Sequence, residues 1–293
     1  MIKCNLCPHR CNIDRSKFKG MCRATDKVKI ALASLHYFEE PCISGKNGSG
    51  TVFFSNCNLK CIYCQNYKIS QEDFGKEVSV QHLADIFISQ QNKGANNINL
   101  VTPTVYVDSI IKALKIARGK GLRIPIIYNS SGYENIDTIK KLNGYIDVYL
   151  PDFKYMIDEL GIKYSNVKDY PKIAKEVILE MYNQVGNVKL DKNGIIKKGI
   201  IIRHLILPNN VENTKLVLKW IKETFDDNVY ISVMAQYFPT NKSIYYEELN
   251  RKINKDEYKE VENYLYELDL YNGYIQELGE HEEEYVPNFD LSE

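Results

Sequence analysis

The spacing of hydrophobic positions along this chain switches repeatedly between two periods. Short β-branched and apolar runs at residues 51–55, 97–102, 124–129, 146–150, 200–207 and 229–234 read as strands. Between them lie longer stretches with apolar residues at helical spacing. Examples are Val80, Leu83, Ala84, Phe87 and Ile88; Val107, Ile110, Ile111 and Leu114; Ile136, Ile139 and Leu142; and Val217, Leu218 and Ile221. Strand–helix alternation of this kind predicts an α/β fold built on a parallel sheet, because parallel strands need crossover connections. Six such strands suit either an open doubly wound sheet or an incomplete barrel, and periodicity does not choose between them. The stretch Ser44-Gly45-Lys46-Asn47-Gly48-Ser49-Gly50 reads as a loop or boundary. It divides a cysteine-rich N-terminal segment, residues 1–45, from a main domain at 46–293 whose last part, after about residue 240, is expected to cap or line the sheet.

Composition narrows the class. Lys+Arg and Asp+Glu both total 38, so no overall field favours nucleic acid or a membrane surface. No interleaved basic–aromatic stretch points to nucleic acid either. Charge is uneven, however: the first thirty residues lean basic and the tail from Glu247 leans acidic. The N-terminus carries no apolar signal region and no run reaches the length of a membrane span, so a cytoplasmic protein is expected. In a reducing compartment clustered cysteines are metal ligands or catalytic thiols rather than disulfide halves. All eight cysteines precede residue 65, in two sets with Cys42 alone between them.

The second set, Cys57-Asn58-Leu59-Lys60-Cys61-Ile62-Tyr63-Cys64, follows directly on the first predicted strand of the main domain. Spacings of three and two residues let one loop wrap three corners of a 4Fe–4S cube, whose irons take thiolate ligands. No fourth cysteine follows, which leaves one iron open to an exogenous ligand. The other reading is a three-cysteine zinc site completed by a distant fourth ligand. Placement after a strand suits a ligand site, since parallel α/β proteins bind at the carboxyl ends of their strands.

C-x3-C-x2-C with aromatic Tyr63 before the last cysteine resembles the signature of the radical S-adenosylmethionine superfamily. The longer string from Phe53 to Tyr67 is similar to its pyruvate formate-lyase activating enzyme-like branch. That resemblance implies a partial (β/α)6 TIM-like barrel with a 4Fe–4S cluster on Cys57, Cys61 and Cys64 at its mouth. It further implies that S-adenosylmethionine is cleaved there to a 5′-deoxyadenosyl radical that abstracts hydrogen from a substrate. Later strand ends extend the likeness, with departures. The branch's Gly-Gly-Glu motif is replaced by Val101-Thr102-Pro103-Thr104, which leaves the cofactor's amino group to backbone carbonyls and the hydroxyls of Thr102 or Thr104. Asn129-Ser130-Ser131-Gly132 stands where activating enzymes carry Asp-Thr-Asn-Gly, so Asn129 and Ser131 offer polar contacts but a cation site is in doubt. Asp152-Phe153-Lys154 resembles the branch's Asp-x-Lys motif, in which the lysine meets the methionine carboxylate. Arg203 corresponds to a strand arginine near the carboxylate and ribose, and Gln236 offers a last polar contact. His204 beside Arg203 is either catalytic or a satisfied structural residue.

The first set, Cys4-x2-Cys7-x3-Cys11-x10-Cys22, is a separate group of four thiols suited to structural Zn²⁺ or to a second iron–sulfur cluster. The same opening resembles the N-terminal extension of an uncharacterised subgroup of the branch. The expected partners are a reductant such as flavodoxin or ferredoxin and a protein or small-molecule substrate, a glycyl-radical enzyme among the candidates. The altered motifs and extra cysteines argue against a dedicated pyruvate formate-lyase activase. The competing class is a non-enzymatic iron–sulfur or zinc protein for electron transfer or binding.

Overall fold

The computed structural model describes residues 3–279 and 287–293. Among these, ten strands join in one sheet: β1 Val28–His36, β2 Ser49–Phe54, β3 Lys76–Val78, β4 Ile98–Val101, β5 Ile126–Ser130, β6 Val148–Pro151, β7 Lys189–Leu190, β8 Ile196–Leu205, β9 Tyr230–Met234 and β10 Gly273–Ile275. The six expected strands are β2, β4, β5, β6, β8 and β9. They are all parallel and lie side by side in chain order. An unbroken order identifies a singly wound partial barrel, because a doubly wound sheet reverses order at a switch point. The sheet stays open, with β3 and β10 at its two ends.

Burial explains why these runs became strands. β2, β4, β5 and β6 are buried at every position, as expected for strands covered on both faces. The covering helices are amphipathic. They include α1 Pro41–Ser44, α2 Tyr67–Gln71, α3 Val80–Asn92, α4 Val107–Gly119, α5 Ile136–Lys141, α6 Asp158–Ser165, α7 Tyr170–Val185, α8 Val211–Phe225 and α9 Lys255–Glu267. In α4, Val107, Ile110, Ala113, Leu114 and Ala117 form the inward stripe. Ser79 caps α3 through the His82 backbone N–H, and Asn254 with Glu257 forms a full capping box on α9.

Four strands were not anticipated. β1 runs antiparallel to both β2 and β3, β7 hairpins onto β8, and β10 extends the parallel set beyond β9. β3, β7 and β10 are two or three residues long and largely exposed, so they carry no usable period. Residues 28–44 therefore pack with the barrel, and Cys22 and Ala24 of the segment before them join the same core as Val28 and Ile30. After β1 the chain turns beneath the sheet, where Cys42 and Ile43 of α1 cluster with Ile127, Val148, Leu150, Ile196 and Ile201. The side-chain amides of Asn96 and Asn97 donate to the carbonyls of Ser44 and Ile43 at 2.7 and 2.9 Å. Those asparagines precede β4, so α1 closes the amino end of the barrel and leaves the carboxyl end open. No helix among the described residues is long and apolar enough to cross a membrane.

Candidate active site at the barrel mouth

A cavity of about 650 Å³ opens at the carboxyl ends of the parallel strands. That size lies within the usual range for small-molecule sites. Cys57, Cys61 and Cys64 line it, together with Tyr63, Thr102, Asn129, Ser131, Asp152, Lys154, Arg203 and Gln236. Eight of the nine side chains expected to meet the cofactor are thus gathered in one place. Thr104 is the exception. It starts a short 3-10 turn, is 1% exposed, and gives its hydroxyl to Glu134 at 3.2 Å, away from the cavity.

The three thiols sit among hydrogen-bond donors. Backbone N–H groups of Leu59 and Asn66 donate to the sulfurs of Cys57 and Cys64. Ser70 of α2 lies 3.2 Å from Cys64 Sγ, and Ser165 of α6 lies 2.9 Å from Cys61 Sγ. Burial pushes the Cys57 thiol up to about 12 and the Cys64 thiol up to about 11. Without metal these sulfurs therefore hold their protons, and metal loading must release them. Once Cys61 is a thiolate Ser165 must donate to it, which orients a chain of hydroxyls: Tyr63 to Tyr155 at 2.6 Å, and Tyr155 to Ser165 at 2.7 Å.

No group of three or more His, Cys, Asp or Glu side chains among the described residues is drawn together tightly enough for one metal ion. Thiols spread around a polynuclear cube do not need that closeness, so the loop fits a 4Fe–4S cluster by its donor set and its surrounding donors. A single zinc ion gains no support from the geometry, either here or at the N-terminal cysteines.

Beside the cysteines stands an ion network. Arg203 Nε donates to Asp152 at 3.1 Å, Nη1 to Glu39 at 3.2 Å, and Nη2 to Asn129 Oδ1 at 2.7 Å. Lys154 Nζ holds the other Asp152 oxygen at 2.7 Å. Burial opposes the charge on Asp152, but Lys154 and Arg203 outweigh it and keep the carboxyl below its usual range. Arg203 is therefore occupied on every nitrogen, and Lys154 retains donors for an anionic ligand. Ser131 Oγ is buried without a hydrogen-bond partner at the cavity wall, a donor awaiting an acceptor.

Sequence reasoning missed Glu39 and Glu40. Both line the cavity, and burial raises both carboxyls while the Arg203 charge works against it. Their signal was weak: an acidic pair before Pro41 looks like an ordinary loop, and only the passage of residues 37–44 under the sheet carries them inside. His204 takes the structural role. Its Nδ1 donates to the Phe153 carbonyl at 2.6 Å, its Nε2 accepts from the Thr214 hydroxyl at 2.9 Å, and burial pushes it down to about 4.

A singly wound partial barrel with three loop thiols and a polar cavity at its carboxyl end defines the class of S-adenosylmethionine-dependent radical enzymes. The chain belongs to the radical SAM superfamily, which matches residues 51–192. It is 32% identical over 281 residues to an uncharacterised protein of Methanocaldococcus jannaschii, covering 92% of this chain and 75% of that one. It is also similar to the pyruvate formate-lyase-activating enzyme of Clostridium pasteurianum, 24% identical with 77% and 93% covered. Among solved structures it resembles the FeFe-hydrogenase maturase HydG from Carboxydothermus hydrogenoformans (TM-score 0.53, 14% identical, 80% of this chain and 56% of that chain). It likewise resembles Streptococcus suis SuiB bound to precursor peptide SuiA (TM-score 0.51, 14% identical, 78% and 48% covered). The chain spans about half the length of those two structures, and the likeness shows the fold.

Proposed function

We propose that this protein cleaves S-adenosylmethionine reductively at a 4Fe–4S cluster held by Cys57, Cys61 and Cys64, and uses the resulting radical to take hydrogen from a protein or small-molecule substrate. The observation that carries the reading is the meeting of three loop thiols with Lys154 and the partnerless Ser131 hydroxyl in one cavity. A cluster bound there would supply the electron for reductive cleavage of the cofactor's carbon–sulfur bond. The chain's own residues do the rest. Lys154, fixed by Asp152, offers its remaining N–H groups to a carboxylate. Ser131 and Thr102 present polar atoms at neighbouring strand ends, Asn129 steadies Arg203, and Gln236, tied to Gln276 at 2.9 Å, borders the cavity beside Gln65, whose amide donates to the Gln236 carbonyl at 3.2 Å. Tyr63 packs edge-on to Tyr237 and closes the cavity beside the cysteines, excluding water from the reacting end.

The likeness to the Clostridium pasteurianum enzyme and to a putative glycyl-radical enzyme activating enzyme of Haemophilus influenzae, 26% identical over 204 residues, supports activation of a glycyl-radical protein as one use of that radical. The absent Gly-Gly-Glu carboxylate and the extra cysteines weigh toward a different target. The test is anaerobic: protein reconstituted with iron and sulfide receives dithionite and S-adenosylmethionine, and 5′-deoxyadenosine is assayed. Turnover that is lost in Cys61→Ala is the expected result. No 5′-deoxyadenosine above that variant sinks the proposal.

A further inference from the structure

The N-terminal cysteines stand apart from the cavity, yet the residues around them grip the cluster loop. Cys4, Cys7, Cys11 and Cys22 converge. The Cys4 and Asn12 backbones pair at 3.0 Å, the Cys7 thiol feels the charges of the other three, and the sulfurs of Cys11 and Cys22 both flank Gly20. A Cβ on Gly20 would stand 3.4 and 3.5 Å from those two sulfurs. Backbone N–H groups of His9, Met21 and Ala24 point at Cys7, Cys11 and Cys22. Four thiols with an N–H···S bond to each of three are a donor set for a thiolate-bound metal centre.

Three contacts join this set to the other. His9, between Cys7 and Cys11, donates from Nε2 to the carbonyl of Asn58, next to Cys57, at 2.7 Å. Arg23, next to Cys22, donates to the carbonyl of Gln71 at 2.6 Å, and the Gln71 side chain donates to the carbonyl of Cys61 at 2.8 Å. Between the two sets lies Lys60. Its Nζ is buried without a hydrogen-bond partner, and it interacts electrostatically with Cys57, with the like charge of Arg23, and with Cys22 and Cys61. A buried Nζ with no partner is a donor awaiting an acceptor, which the sulfurs of a thiolate-bound centre would supply.

The outward face has its own character. Phe18 is 61% and Met21 56% exposed, and Lys3, Arg10, Lys17, Lys19 and Arg23 of the same segment are exposed as well, with Lys19 paired to Asp73. Exposed apolar side chains on a segment rich in exposed basic ones are complementary to an acidic protein surface.

Resting on the proposed radical chemistry, we infer that Cys4, Cys7, Cys11 and Cys22 hold a redox-active iron–sulfur centre through which an acidic, low-potential one-electron donor protein delivers electrons to the cluster loop. Each transfer moves one electron: the donor is oxidised by one, the N-terminal centre is reduced by one and then reoxidised as the loop cluster is reduced. No bond forms or breaks and no proton is required. A zinc ion at the same thiols would brace the segment but carry no electron.

The test has two arms. In the first, full-length protein with Cys57, Cys61 and Cys64 all replaced by Ala is reconstituted anaerobically with iron and sulfide. Retained iron and acid-labile sulfide, with an electron paramagnetic resonance signal after dithionite, is expected; stoichiometric zinc, or a folded protein without metal, overturns the inference. In the second, the Phe18→Asp/Met21→Asp variant keeps every cysteine. Its flavodoxin-driven formation of 5′-deoxyadenosine should fall about tenfold while its dithionite-driven rate is unchanged. Equal rates with flavodoxin for variant and wild type remove the intake role. A wild type inactive with dithionite would count against the radical chemistry instead, and the first arm would still report on the N-terminal metal.

Discussion

At the scale of single residues, two side chains sit where their chemistry costs stability, Thr102 at the mouth and Glu134 outside it. Thr102 is β-branched yet holds φ at +60°, in the left-handed region, while its N–H bonds the Asn129 carbonyl at 2.9 Å. Such strain costs about 1–3 kcal/mol and persists where the surroundings impose it. Thr102→Gly should therefore raise the denaturant midpoint while lowering S-adenosylmethionine turnover; a lower midpoint would show that the hydroxyl and methyl contacts matter more than the strain. Glu134 is 2% exposed, and burial pushes it up to about 7 against hydrogen bonds from Ser130, Tyr128 and Thr104. An unfolded glutamate titrates near ~4.3, so the native state holds this proton across a window in which the unfolded chain releases it. The resulting stability is full below pH ~4.3 and is lost as pH rises toward 7, by roughly 3 kcal/mol in all. Glu134→Gln should flatten that dependence and be the more stable protein at pH 8, as measured by urea titrations across the range. Motif reading did not find Glu134, because its partners come from β5 and from the turn after β4.

At the scale of elements, the helices after the strands do more than cover the sheet. α2 brings Ser70 to Cys64 and α6 brings Ser165 to Cys61, each from its last turns. Hydroxyl bonds to ligating sulfurs stabilise the added electron of a reduced cluster. Ser165→Ala is thus expected to shift the cluster to a more negative potential, read by a redox titration with paramagnetic resonance detection. An unchanged potential would mean that Ser165 only packs. Ser165 was not visible as a ligand-tuning residue in the sequence, since α6 lies about a hundred residues beyond the cysteine loop. The strands were more legible. Complete burial of β2, β4, β5 and β6 wrote itself into continuous apolar runs, whereas the exposed β3, β7 and β10 left no pattern. Gly132 shows the same dependence on neighbours: at φ +71° its missing Cβ leaves room for the Asp152 carbonyl 2.7 Å away, which lets the β5 turn lie beside the β6 end.

At the scale of the whole molecule, distant segments finish the barrel. The last residues return to β1: Leu291 N–H donates to Ala31 at 3.1 Å, Ala33 N–H donates to Ser292 at 2.9 Å, and Phe289 packs on Phe53. Glu293 also meets Lys76 and His82. Deleting residues 289–293 should lower unfolding free energy by about 2 kcal/mol and speed amide exchange at Ala33, because two backbone bonds and an edge covering are lost. Unaltered exchange there would show that the strand holds its own edge. The alternation of strand and helix, the cysteine spacings and the residues Asp152, Lys154 and Arg203 were all determined by the sequence itself, because burial periodicity and ligand spacing are local properties of a chain. The side-by-side order of the strands in an open barrel, the plug of residues 37–44 that places Glu39 and Glu40 in the cavity, the turn of Thr104 away from that cavity and the contact of the first cysteine set with the second were decided only by tertiary structure. Each of these depends on which surfaces meet across long separations in the chain, and local spacing does not encode such meetings.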